Sequence, residues 1–268
     1  MPHHPLNTPI GRFRIETLEE GADGCVAAMP LAGLVSPVTG LPSLSPLAVL
    51  VDHVGGLINH HRRGTREWTV SSELTLDLTP DAAAVVSSGG DALVCATSRP
   101  LGTKGATAIS ECHLRMGDVV IGSGAVRSFY VEAPAEYSES PIDEGSMEAK
   151  FGLAAMMAVG TPRVDGDAVV LPQRCDQVLN NSIGVVHGGI ASAGLEVVAA
   201  AAVNHGRADD PLSTASLRVN FLRQFFAGDE SRYVGTALRV GRRSGVAEAR
   251  AIGTDGKPAI IARVTAYR

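Results

Sequence analysis

Helical and extended hydrophobic patterns follow one another along this chain, and they do so twice in the same order. Leu47, Leu50, Val51, Val54 and Ile58 sit at the 0, 3, 4, 7, 11 spacing of a helix with one buried stripe. Ser45 and Pro46 ahead of it supply an N-cap and a first-turn proline. SSELTLDL (71–78) then alternates through Leu74, Leu76 and Leu78, as a strand does. GATAISECHLRMGDVVIGSGAVRSFY (105–130) predicts two more strands joined by a tight turn near Met116-Gly117-Asp118. The second series starts with a helix from about Gly188 to Val203, apolar on nearly every side and therefore wrapped by its surroundings. TASLRVNF (214–221) alternates through Leu217, Val219 and Phe221, and GVAEARAIGTDGKPAIIARVTAY (245–267) predicts a hairpin turning at Asp255-Gly256-Lys257.

Superposing LVDHVGGLINH (50–60) on GLEVVAAAAVNH (194–205) places Asp52 over Glu196, an offset of 144, and the strands that follow match at 143. The drift marks small insertions, so the repeat is one of topology: two α+β units in tandem. Between them APAEYSESPIDEGSMEAK (133–150) is polar, acidic and proline-containing, as linkers are. The apolar FGLAAMMAVG (151–160) after it is expected to cover part of the fold. The predicted units are 1–132, a linker and covering segment at 133–164, and 165–268.

Composition narrows the function classes. A net charge of −5 gives no overall basic field for nucleic acid. No apolar run approaches the ~20 residues of a membrane span. The start, MPHHPLNTPIGRFRIE, lacks the apolar core of a signal peptide, so a cytoplasmic location is expected. Cys25, Cys95, Cys112 and Cys175 form no CxxC pair and have no histidine at metal-ligand spacing, which predicts free thiols and no metal site.

The chemistry concentrates in NNSIGVVHGGIASAGLEVV (180–198), where paired glycines and a lone acid interrupt an apolar helix. Asn181, His187-Gly188-Gly189, the acid at 196, Thr214-Ala-Ser-Leu-Arg-Val-Asn-Phe-Leu and the Asp255-Gly256-Lys257 turn resemble the PaaI-type acyl-CoA thioesterases of the hotdog fold. The resemblance covers 165–268 well and 25–132 as a degenerate copy, a layout similar to tandem (double) hotdog thioesterases. It implies an α+β fold in which each antiparallel sheet wraps one long helix. It also implies hydrolysis of an acyl-CoA thioester, with no cofactor beyond the coenzyme A of the substrate, in a chain expected to form a homodimer of tandem chains.

Thioester hydrolysis builds negative charge on the carbonyl oxygen, and an unpaired N–H at the first turn of a helix is suited to hold it. Gly188 offers that N–H without a Cβ, with Gly189 beside it on the substrate side. The resemblance further implies a carboxylate acting as general base or nucleophile. Asp52 and Glu196 compete for that role. Family hotdog pairs take the acid from the partner helix, which would join Asp52 to Asn181, His187 and Gly188. Asn181 would orient water, or cap a turn, and His187 would shape the site. The first half has Ser43-Leu44-Ser45 where the second has His-Gly-Gly, so a site built on Glu196 is expected to be defective. Ser71, Ser72 and Thr214 open the strand after each helix, where the family carries a hydroxyl near the water. Arg242 and Arg243 in RVGRRSG (239–245) could grip the phosphates of coenzyme A. The HHRR run (60–63) suits a helix C-terminus and needs no other role. No serine-hydrolase elbow, dinucleotide fingerprint or P-loop is present. Two rivals stand beside the hydrolase: an acyl-CoA-binding protein without turnover, and a hotdog hydratase, disfavoured because adjacent Asp52 and His53 point to different helix faces.

Overall fold

The computed structural model describes residues 4–133, 148–181 and 183–268. Most of the expected linker, 134–147, therefore lies outside the described residues. The first repeat runs α1 (Pro9–Arg12), β1 (Glu16–Glu19), β2 (Cys25–Pro30), the long helix α2 (Leu47–His61), β3 (Glu67–Leu78), a short α3 (Ala82–Ser88), β4 (Leu93–Leu101), β5 (Thr107–Met116) and β6 (Val119–Glu132). The second runs α4 (Leu153–Met156), β7 (Arg163–Asp165), β8 (Ala168–Pro172), a 3-10 turn (Gln177–Leu179), the long helix α5 (Gly188–Val203), β9 (Ser213–Phe221), β10 (Arg232–Val240), β11 (Ser244–Ile252) and β12 (Pro258–Tyr267).

All strands join one antiparallel sheet in the order β1-β2-β4-β5-β6-β3-β9-β12-β11-β10-β8-β7. The halves meet edge to edge at β3 and β9, with Leu74 opposite Val219 and Leu76 opposite Leu217. Each half curls round its own helix, and the two helices also pack on one another. The alternation that predicted the strands is the alternation of burial: Leu74, Leu76, Leu217 and Val219 face inward and are buried.

Three details differ from the sequence expectation. The helix α2 buries more than one stripe, since Ala48, Val49, His53 and Asn59 are buried as well; α5 covers the side that the sheet leaves open. Its cap is Pro46, not Ser45, because the Ser45 hydroxyl is turned onto the Ser43 hydroxyl at 2.9 Å. The second repeat also begins earlier than 165. The short helices α1 and α4 are each followed two residues on by a left-handed residue, Arg14 (φ 53°) and Ala158 (φ 50°), again 144 apart. FGLAAMMAVG is thus the counterpart of the N-terminal segment, and Leu153, Met156 and Met157 bury as Ile10 and Phe13 do. PIGR and LAAM share no residue pattern, which hid this part of the repeat from the sequence.

All four cysteines are free thiols. Among the described residues no helix is long and apolar enough to cross a membrane.

Candidate active site between the repeats

The larger cavity, about 810 Å³, opens where the N-terminus of α5 meets the flank of α2 and the strands β3 and β9. Its polar end is assembled from both repeats. Asp52 of α2 is only 7% exposed, and its Oδ2 accepts the Gly189 N–H of α5 at 2.6 Å. Ser71, which lies within β3 and does not open it as expected because the strand starts at Glu67, donates its hydroxyl to Oδ1 at 3.3 Å. The carboxylate therefore sits at the N-terminal, positive end of the other repeat's helix, with one donor on each oxygen.

His187 is the N-cap of α5. Its Nδ1 accepts the Gly189 N–H at 3.2 Å and lies 3.4 Å from Asp52 Oδ2. Burial pulls the His187 pKa down, with Asp52 opposing. A neutral ring accepting at Nδ1 carries its proton on Nε2, an assignment made from the hydrogen-bond pattern. Asn181 lines the same cavity, yet its Oδ1 is occupied: it accepts the N–H groups of Ile183 and Val185, each at 3.1 Å, and shapes the loop that leads into α5.

The two glycines have separate tasks. Gly188 lines the cavity, and its N–H finds no acceptor among the described residues. A Cβ there would stand 3.0 Å from Asp52 Oδ2 and 3.2 Å from the Phe221 ring. Gly189, expected on the substrate side, is buried and off the cavity wall. A Cβ on it would lie 2.6 Å from the Val49 Cα and 3.0 Å from the Ala48 carbonyl, so it is the point where α5 touches α2.

Other expected residues fall elsewhere. Glu196 and Thr214 line a separate cavity of about 320 Å³, bonded to each other at 2.5 Å. The Ser72 hydroxyl reaches the first cavity's wall but is bonded to the Arg127 carbonyl at 3.2 Å, at a β-bulge that turns it from Asp52. Arg242 and Arg243 are exposed in the β10–β11 turn and line neither cavity; the Arg242 carbonyl accepts from Arg207. The cation on the first cavity's wall is Arg223, paired with Asp255 of the Asp-Gly-Lys turn. It follows TASLRVNF by two residues and could have been found from that strand's register.

Two histidines also join the wall. His60, in the run read as a plain helix terminus, packs edge-on against Trp68 at 5.0 Å. The His53 ring diverges from Asp52 as expected, with Nε2 bonded to Thr17 Oγ at 2.8 Å, but it still forms part of the cavity. Burial pushes its pKa down to about 3, so it is neutral. Beyond these, Leu57, Trp68, Val70, Phe129 and Phe221 make the far wall apolar.

A curled antiparallel sheet wrapped on a long helix, duplicated edge to edge in one chain, defines a double-hotdog protein. Residues 183–260 match the thioesterase superfamily. Over the whole chain the fold is similar to the acyl-CoA thioesterase II TesB2 of Mycobacterium marinum, with 10% identity, 97% of each chain covered and a TM-score of 0.61. It is likewise similar to a tesB protein of Mycobacterium avium subsp. paratuberculosis, with 14% identity, 97% of each chain covered and a TM-score of 0.59. No curated protein sequence matches the chain.

Proposed function

We propose that the protein hydrolyses acyl-CoA thioesters at the Asp52 site. One observation carries this reading: a buried carboxylate from one repeat is hydrogen-bonded to the helix N-terminus of the other, beside a free N–H, at the end of a large apolar cavity. The acyl group fills the apolar end, and the thioester carbonyl oxygen takes the Gly188 N–H. Asp52 removes a proton from water, hydroxide attacks the carbonyl carbon, and the C–S bond breaks. The proton returns to the thiolate. Ser71 and Gly189 hold the carboxylate in place, His187 fixes the first turn of α5, and Asn181 fixes the loop before it. General-base action is preferred to direct attack because both carboxylate oxygens are already held by donors, Oδ2 by Gly189 and Oδ1 by Ser71, on the wall of the cavity that admits water.

A thiol-release assay over a panel of acyl-CoAs, run beside Asp52→Asn, tests the activity. Saturable acyl-CoA binding without thiol release by the wild type would instead favour the binding protein. Label found in Asp52 after a single turnover in ¹⁸O water would establish direct attack, through an anhydride that water opens at the aspartyl carbon. The place of His53 on the cavity wall supports one other reading, hydration of an enoyl-CoA, which loss of absorbance from crotonyl-CoA without thiol release would establish.

A further inference from the structure

The smaller cavity lies where the repeat would put a copy of the first. It opens to the surface between the 36–42 loop and α3, where Thr39, Leu41, Ala84 and Ser87 are exposed. Its groups match those of the Asp52 site position by position: Glu196 for Asp52, Thr214 for Ser71, Ser43 for His187, Leu44 for Gly188.

Several contacts repeat as well, although among the described residues no N–H of the first repeat reaches Glu196 as that of Gly189 reaches Asp52. Thr214 donates to Glu196 Oε1 as Ser71 donates to Asp52 Oδ1. The Ser45 N–H is held by Ser43 Oγ at 3.3 Å, as the Gly189 N–H is held by His187 Nδ1 at 3.2 Å. The Ser43 N–H runs to the Leu34 carbonyl at 3.0 Å, as the His187 N–H runs to that of Leu179 at 2.9 Å. The Leu44 N–H, like that of Gly188, has no acceptor among the described residues. Glu196 itself is only 6% exposed, and its Oε2 has no hydrogen-bond partner among those residues although the side chain lines the cavity. That oxygen is not sealed from solvent, so it can meet a water in the cavity.

We propose that this cavity is a second acyl-thioester site, restricted to short acyl groups, in which Glu196 activates water and the Leu44 N–H holds the thioester oxygen. The proposal extends the reading of the Asp52 site. Water gives its proton to Glu196 and its oxygen to the carbonyl carbon, the C–S bond breaks, and the proton passes to the departing thiolate. Thiol and carboxylic acid are the products, and no further reactant is needed. A volume of about 320 Å³ against about 810 Å³ limits the acyl group.

Two features slow this site. The Leu44 side chain stands where a glycine leaves space in the other. Burial also raises the Glu196 pKa to about 7, opposed by Thr214, and no other titratable or charged side chain lines the cavity among the described residues. The base form therefore accumulates only above neutrality.

The test uses the full chain with Asp52→Asn, Asp52→Asn/Glu196→Gln and Asp52→Asn/Leu44→Gly, each verified as folded by circular dichroism, on acetyl-, butyryl- and decanoyl-CoA. Asp52→Asn should keep a slow turnover of the short thioesters that climbs through pH 7. Adding Glu196→Gln should abolish it, and adding Leu44→Gly should raise it at least several-fold. An active wild type with a silent Asp52→Asn variant overturns this proposal alone, as does residual turnover indifferent to Glu196→Gln. A wild type silent on every thioester overturns both sites.

Discussion

Adjacent glycines at the start of α5 should respond to the same substitution in opposite ways. An alanine methyl at Gly189 would lie 2.6 Å from the Val49 Cα and 3.0 Å from the Ala48 carbonyl. Carbon atoms pack at about 3.5–4.0 Å, so the overlap is on the order of 1 Å. Both obstacles are backbone and cannot rotate away, so the helices must part by about that distance. Overpacking of this kind costs about 1–3 kcal/mol, and at ~2–4 °C per kcal/mol for a domain of roughly this size Gly189→Ala should melt about 2–12 °C below wild type. At Gly188 the methyl meets the Asp52 carboxylate at 3.0 Å and the Phe221 ring at 3.2 Å, both ends of side chains that can shift. Gly188→Ala should therefore melt near wild type, while kcat/KM falls because its methyl crowds Asp52 and the space beside the N–H that the thioester oxygen takes. Differential scanning fluorimetry beside thiol release reads both quantities. The reasoning fails if Gly189→Ala is as stable as wild type, or if Gly188→Ala turns over normally.

Other substitutions extend the test. Asp52→Asn keeps an acceptor for the Gly189 N–H but removes the base, so kcat should drop ~10²–10⁴-fold with little change in melting temperature; an undiminished kcat would remove Asp52 from the mechanism. Glu196 is raised in the fold from 4.5 to about 7, so wild type should lose stability as pH rises between those values. Denaturant unfolding of Glu196→Gln should lack that loss, ending at most about 3 kcal/mol ahead of wild type above pH 7; parallel pH profiles would contradict it. Arg242→Ala/Arg243→Ala should leave KM for acyl-CoA unchanged, whereas Arg223→Ala, which opens the pair with Asp255 on the cavity wall, should raise it in steady-state assays.

The long helices, the strands after them and the β-turns were legible because a half-buried sheet and a wrapped helix leave opposite periodicities, 2 against 3.6. The range of α5 was read residue for residue from apolar content and the preceding His-Gly-Gly. The start of the second repeat was not, since a four-residue helix carries too few positions for any pattern. At the site, the pairing of Asp52 with His187 and Gly188 was implied by the resemblance to hotdog thioesterases, once alignment of the repeats had set Asp52 over Glu196. The use of Gly189 for helix contact was not, because sequence does not say which of two adjacent N–H groups faces a neighbouring chain segment. The misplaced arginines have a similar cause: charge density on a turn carries no information about which end of the sheet the turn occupies, whereas Arg223 is placed by the register of β9.

The seam between β3 and β9 lies within one polypeptide. In a symmetric pair of identical subunits, every substitution on one helix would be imposed on both sites at once, and dilution would pull the half-sites apart. Here position 52 can vary without position 196, and each half meets the other at an effective concentration that dilution does not change. The two cavities are therefore free to differ while sharing one fold: the larger has Asp52 and Gly188 on its wall, the smaller Glu196 and Leu44.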